Sequence, residues 1–174
     1  AMWWNGDNNV RAYVFRGGKL RPEPEGILDV RNRMLRAVAN RSSKVVAVLG
    51  SDEHAYYRLL ADRNVPLGDP EADDRNGDGK IDWKGDEPAS TLDLKRPVWF
   101  ITSGGGGAPY YAEEPTPWNS YWKWKDPEKR YYLYSSQENM VLFRATDDGV
   151  SMETLNAYGE RIDHVEDLTA VQER

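Results

Sequence analysis

Two continuous apolar runs constrain this chain more than any other feature. Lys44–Gly50 reads KVVAVLG and Pro97–Thr102 reads PVWFIT, with hardly a polar position in either. A strand with one wet face alternates, whereas a strand apolar along its whole length is covered on both faces. The segment before the first run is helical in pattern. From Ile27 to Arg41, residues Ile27, Val30, Met34, Leu35 and Val38 fall at helical spacing, with Arg31, Arg33 and Arg36 on the other faces. A helix followed by a doubly covered strand predicts layered packing.

Other segments extend that reading. AYYRLLAD, after the first run, is expected to pair as another strand, and VRAYVF followed by Arg16-Gly17-Gly18 reads as a hairpin arm. YYLYSS at 131, NMVLFRAT at 139 and VSMETLNAY at 150 predict three antiparallel strands. Asp147-Asp148-Gly149 makes the turn between the last two. Pro109 to Arg130 is expected as an aromatic loop, and residues 159–174 as a tail that is either a short helix or free. The predicted class is α+β with α/β-like layering: a mixed or antiparallel sheet and one main helix, in a single domain over 1–174. At 174 residues the chain is about one domain long and hides roughly two-thirds of its unfolded surface.

Composition removes several functions. There is no cysteine, hence no disulfide, thiolate nucleophile or Cys-ligated metal. A net charge of -6 disfavours nucleic acid, which needs clustered positive charge. No run of about 18 apolar residues exists to span a membrane. Only His54 and His164 are available as imidazoles, few for a two-metal centre. His164, in an acidic tail, is expected to be solvated.

The polar stretch from Arg63 to Leu94 far exceeds an ordinary loop of about 4–6 residues, so it is either disordered or organised by something. Within it, inside a 69–90 insertion, lies DRNGDGKID from Asp74 to Asp82, which matches the opening of an EF-hand-type loop. Oxygens of Asp74, Asn76 and Asp78 converge on one hard cation in such a loop, Lys80 offers its carbonyl, and Asp82 ligates directly or through water. Ile81 would anchor the loop to a core. Gly85 stands where the bidentate acid belongs, so Asp86 is the expected last ligand after a one-residue slip. The alternative is a solvated acidic turn. A structural calcium loop of the weaker kind favours an exported protein, secreted or periplasmic.

Gly50-Ser51-Asp52-Glu53-His54-Ala55-Tyr56-Tyr57-Arg58 follows the first apolar run. Ligands gather at the carboxyl ends of strands in open α/β sheets. If the segment stays extended, Asp52 and His54 flank Glu53 and face one site, an oxygen and an imidazole that suit a divalent transition metal. A hydrogen-bonded structural pair is the plainer alternative. Together with RPVWFITSGGGGAPYYAEEP, this segment resembles the C-terminal part of a calcineurin-like metallophosphoesterase, over roughly residues 3 to 158. In that family a buried strand leads into a Gly-His-x-His motif. The resemblance implies half of a β-sandwich, hydrolysis of phosphate esters in the complete form, and manganese, zinc or iron at His54. Asp52 stands where the family has the first histidine. The family's earlier metal motifs do not occur in this sequence. The resemblance therefore leaves a truncated chain, one completed by a partner or homodimer, or a natural fragment with another use, and leaves activity of this chain alone open.

Arg58 and Trp122 complete the candidate set as substrate contacts. Trp118, Tyr121, Trp122 and Trp124 crowd one segment with Lys123 and Lys125. Exposed, they would form a carbohydrate- or partner-binding surface of a non-catalytic, calcium-stabilised module. The general burial of aromatic rings favours a place in the core instead. Gly104–Gly107 lacks a following Gly-Lys-Ser/Thr and reads as a tight turn rather than a phosphate loop.

Overall fold

The structure is a computed structural model that describes residues 13–78, 81, 83, 85, 87–107, 109–113 and 116–173. The class is α+β, with one main helix and three sheets among the described residues. The chain divides into two compact units: residues 1–42, 63–95 and 115–127 form the first, and residues 43–62, 96–114 and 128–174 the second.

In the first unit, β1 (Tyr13–Arg16) and β2 (Lys19–Pro22) form the expected hairpin. Gly17 and Gly18 both take positive φ, 60° and 77°, as a type I′ turn demands. Helix α1 spans Ile27–Arg41 as the periodicity predicts, but it buries a different face. Leu28, Arg31, Asn32, Leu35 and Ala39 are inside, while Val30 and Met34 remain 42% and 37% exposed. The apolar stripe loses because Arg31 has partners that repay its burial, described below.

The Arg63–Leu94 stretch is organised by its own backbone. Leu92 N–H donates to Val65 C=O, Leu67 N–H donates to Ser90 C=O, and Pro66 bridges Thr91. A short helix α2 (Pro70–Asp73) is capped by Asp69, which accepts from Glu71 N–H at 3.0 Å. Asp73 is buried and accepts from Ala89 N–H at 2.7 Å. Ile81, Trp83, Leu92 and Leu94 are all buried.

The expected aromatic loop is helix α3 (Pro117–Lys125). Its start signal is local: Thr116 caps by accepting from Asn119 N–H at 3.1 Å, and Pro117 occupies the first turn, where a missing N–H costs nothing. Lys123 and Lys125 sit in the last turn, favoured by the helix dipole. Trp118, Tyr121 and Trp122 are buried, with Trp83 edge-on to Trp118 at 4.6 Å.

The second unit carries two sheets. The first has the order β3-β5-β4-β6, from β3 (Ala47–Gly50), β5 (Val98–Ser103), β4 (Tyr56–Ala61) and β6 (Tyr132–Ser135). The two apolar runs pair in parallel, with Val48 opposite Phe100, and the other pairings are antiparallel. The second sheet is β7 (Asn139–Thr146), β8 (Gly149–Asn156) and β9 (Arg161–Val165). The tail thus forms a strand and a 3₁₀ turn (Ala170–Glu173) rather than hanging free. Tyr56, Leu60, Trp99 and Ile101 from one sheet and Met152 from the other pack with Leu168 and Val171 into one core. No described helix is long and apolar enough to cross a membrane.

Candidate functional site

Parallel pairing of β3 with β5 puts both carboxyl ends at one edge of the first sheet of the second unit. Gly50 aligns with Thr102, Tyr56 with Ser103, and Tyr56 with Ser135, so the loops 51–55, 104–113 and 136–138 meet there. The approach is close. A Cβ on Gly104 would meet Glu53 C=O at 1.9 Å, and one on Gly105 would meet Asn139 Nδ2 at 2.1 Å. Gly104 N–H also donates to Ala55 C=O at 3.1 Å. The glycine cluster is the tight turn expected of it, and backbone contact is its function.

The 51–55 segment is bent, not extended. Asp52 takes a φ of 88°, in the left-handed region, and Ala55 N–H turns back to Glu53 C=O at 2.7 Å. Asp52 is exposed and His54 half-buried. The alternation that was to aim Asp52 and His54 at one point is therefore lost. His54 itself is well held. Its ring stacks on Tyr111, with centroids 4.4 Å apart and planes 21° apart, and Tyr111 N–H donates to His54 C=O at 3.3 Å. Nδ1 lies 3.0 Å from Pro109 C=O. A carbonyl only accepts, so Nδ1 carries a proton, and the neutral ring would have its lone pair on Nε2.

Around it stands a tyrosine rim that the sequence reading did not single out. Tyr110 and Tyr111 are 59% and 48% exposed. Tyr134 donates its hydroxyl to Tyr111 C=O, and Tyr57 packs across the strand pair on Tyr134 at 4.9 Å. Tyr132 donates to Glu113. Burial first, then the Glu113 charge and, more weakly, the Glu53 charge raise the Tyr134 hydroxyl above its ordinary value. Asn139 is buried and ties the floor: Ser103 Oγ donates to Asn139 Oδ1 at 2.9 Å, and Asn139 Nδ2 donates to Gln137 C=O at 3.0 Å. The only available signal was period-two: Tyr57 and Tyr134 stand opposite on one face of β4 and β6.

Arg58 is 2% exposed, and its guanidinium is committed to Asp163, at 2.5 and 3.1 Å, and to the carbonyls of Lys129 and Arg130. It is a buried structural tie, with four of its five N–H donors spent on these partners. Trp122, 5% exposed on α3, is core. Of the ring segment only Trp124, at 39%, reaches solvent to any extent, so these rings form the buried face of a helix, the favoured of the two readings, rather than an exposed aromatic surface.

In the calcium-type loop, Asn76 Oδ1 accepts from Asp78 N–H at 3.1 Å and Asn76 Nδ2 donates to Asp78 Oδ2 at 3.2 Å. Asp74 is half-buried and Asp78 exposed, and Gly77 takes a φ of 72°. Lys80, Asp82 and Asp86 lie outside the described residues. Among the described residues no three His, Asp or Glu side chains are grouped to hold a metal, either here or at His54. The donor set for a two-metal centre is thus not met by the described residues of this chain. His164 is exposed, as expected.

The chain matches no family model, no curated protein and no solved structure.

Proposed function

We propose that the chain is a binding module whose ligand presents a cationic group, a lysine or arginine side chain or an alkylammonium, to the rim around Tyr110, Tyr111 and His54. One observation carries this reading. The three loops of the rim contain Asp52, Glu53, Glu113 and Glu138 and not one lysine or arginine, while two tyrosine rings stand exposed among them. A phosphate ester brought there without a metal meets only like charge. A cation meets carboxylates and ring faces, each cation–π contact being worth about 0.5–2 kcal/mol. The rings are also held before binding, by the His54 stack and the Tyr134 hydroxyl, which lowers the ordering cost. Titration calorimetry with a hexalysine peptide at low salt tests it. Saturable binding that weakens at least tenfold in Tyr111→Ala supports the reading, and equal binding by both proteins, or none by either, defeats it.

A second reading, the metal-dependent phosphoesterase, is favoured by the His54 tautomer alone. An imidazole fixed through Nδ1–H to a carbonyl is prepared to offer Nε2 to a metal. The remaining donors would have to come from sequence outside these 174 residues, from a partner chain or from a second copy. Hydrolysis of 4-nitrophenyl phosphate with manganese or zinc, lost in His54→Ala, would favour this reading over the first. Absence of such activity, with hexalysine binding retained in the wild type, would remove it.

A further inference from the structure

The loop that opens at Asp74 holds a pair of residues that the proposed function does not use, Asn76 followed by Gly77. An asparagine side chain carries a labile amide. Beside most residues it survives, because the following side chain screens the main-chain nitrogen that would attack it. Glycine offers no such screen. Asn76 and Gly77 are both exposed, and a Cβ built on Gly77 would meet nothing within 4 Å, so the place a screen would take is open to water.

The fold adds two contacts, both from Asp78. Its N–H donates to Asn76 Oδ1 at 3.1 Å, and Asn76 Nδ2 donates to its Oδ2 at 3.2 Å. A hydrogen bond at Oδ1 draws electrons from Cγ, the atom that must be attacked, and supports the negative charge that then develops on the oxygen. The carboxylate at Nδ2 stands where a departing nitrogen must collect a proton. Gly77 holds a φ of 72°, a left-handed conformation that residues with side chains rarely adopt. One turn therefore supplies both the unscreened nitrogen and the partner that holds the amide.

We infer that Asn76 is a site of spontaneous deamidation in the folded protein, with Asp78 as its positioning residue. Gly77 N gives up its proton and bonds to Asn76 Cγ, closing a five-membered succinimide. The Cγ–Nδ2 bond breaks, and Nδ2 leaves as ammonia with a proton relayed through the Asp78 carboxylate. Water then adds to one of the two ring carbonyls and breaks that carbon's bond to the Gly77 nitrogen. Opening at Cγ leaves aspartate. Opening at the main-chain carbon leaves isoaspartate, whose main chain runs through Cβ and Cγ and is one atom longer. Nothing is oxidised or reduced, and water is the only co-reactant. Either product adds a carboxylate between Asp74 and Asp78.

Ageing the intact protein in mildly alkaline buffer, with mass mapping of the peptide that lies between Glu71 and Glu87, tests the inference. Asn76 is the sole asparagine of that peptide, so an amide replaced by an acid is assigned to it directly, and Asn5-Gly6 falls in another peptide. Conversion at Asn76 is expected at least tenfold faster than at Asn40, which Arg41 follows, with isoaspartate revealed by isoaspartyl methyltransferase labelling. An unchanged Asn76 in the folded protein, or conversion only in urea, overturns the inference. Asp78→Ala keeps the N–H and removes the carboxylate, and because Asp78 is exposed the variant should fold, which circular dichroism checks. It should slow conversion severalfold in the native protein and leave the rate in urea unchanged. Equal native rates in the two proteins overturn the part given to Asp78.

Discussion

Each unit buries one arginine, and the two solve the problem differently. Arg31 in the first unit is 1% exposed; among its described contacts it donates to Asn32 Oδ1 and Pro66 C=O and lies over the Trp118 ring, 4.3 Å from its centroid. Burial pulls its pKa down. Arg58 in the second unit is equally buried but grips Asp163 with Nε and Nη2, donates to Lys129 C=O from Nη2 and to Arg130 C=O from Nη1, and lies 5.3 Å from the Trp99 ring centroid. Tyr56 adds its hydroxyl to the same carboxylate at 2.6 Å. Among the described contacts Arg31 meets neutral dipoles and a ring, whereas Arg58 meets an opposite charge, and a buried ion pair creates mutual dependence. Asp163 without Arg58 would keep the Tyr56 hydroxyl but lose this counter-charge, and Arg58 without Asp163 would keep its two carbonyls but lose its carboxylate.

The largest expected effect follows from that dependence. Asp163→Ala strands Arg58 inside the second unit and should cost about 3–5 kcal/mol, measured by urea denaturation. In a chain of this length that is a fall in melting temperature on the order of 10 °C. Replacing both partners, Arg58→Met with Asp163→Leu, removes the dependence and should return the protein to within about 1 kcal/mol of wild type. If the double variant is as damaged as the single, the pair contributes by geometry rather than by charge, and the contrast between the units fails.

Arg31→Met should be milder, about 1–2 kcal/mol by the same denaturation. The acceptors it leaves at Asn32 and Pro66 are neutral, and Met fills the volume over Trp118. A loss as large as that of Asp163→Ala would mean that Arg31 answers a charge after all. Asp73, buried nearby enough to act on Tyr13 as Arg31 does, would be the first suspect.

These two arginines also mark where the sequence could be read and where it could not. The span of α1, the two apolar strands, the Gly17-Gly18 hairpin and the Asp147–Gly149 turn were all legible, because periodicity and turn chemistry act within a few residues. The inner face of α1 was not. Arg31 reads as solvent-facing until Pro66, 35 residues on, supplies a carbonyl, and tertiary partners override pattern. Helix α3 was legible in principle from Thr116-Pro117, but four aromatics in nine residues concealed it. Strand β9 was hidden in a polar tail whose buried member, Asp163, is visible only beside Arg58. At the rim, His54 could be singled out by rarity, whereas its hold on Pro109 and Tyr111 spans 55 and 57 residues and has no local signature.

The smallest effect is spectroscopic and separates the two environments most cleanly. Tyr13 beside Arg31 and Tyr56 beside Asp163 are both raised above the ordinary tyrosine value by burial, but their neighbours act in opposite directions. The Arg31 charge lowers Tyr13, whereas the Asp163 charge and hydrogen bond raise Tyr56 further. A group whose folded pKa is raised contributes stability that is complete below the unfolded value, about 10 for tyrosine, and is lost as pH rises through the folded value. Absorbance titration at 295 nm should therefore show at least two of the ten tyrosines still protonated near pH 11 in the folded protein. Arg31→Met should push Tyr13 higher still. Asp163→Asn, which keeps a hydrogen-bond acceptor and removes the charge, should bring Tyr56 down. If both substitutions moved the titration the same way, the two pockets would differ only in depth of burial, and the charge beside each phenol would be irrelevant to it.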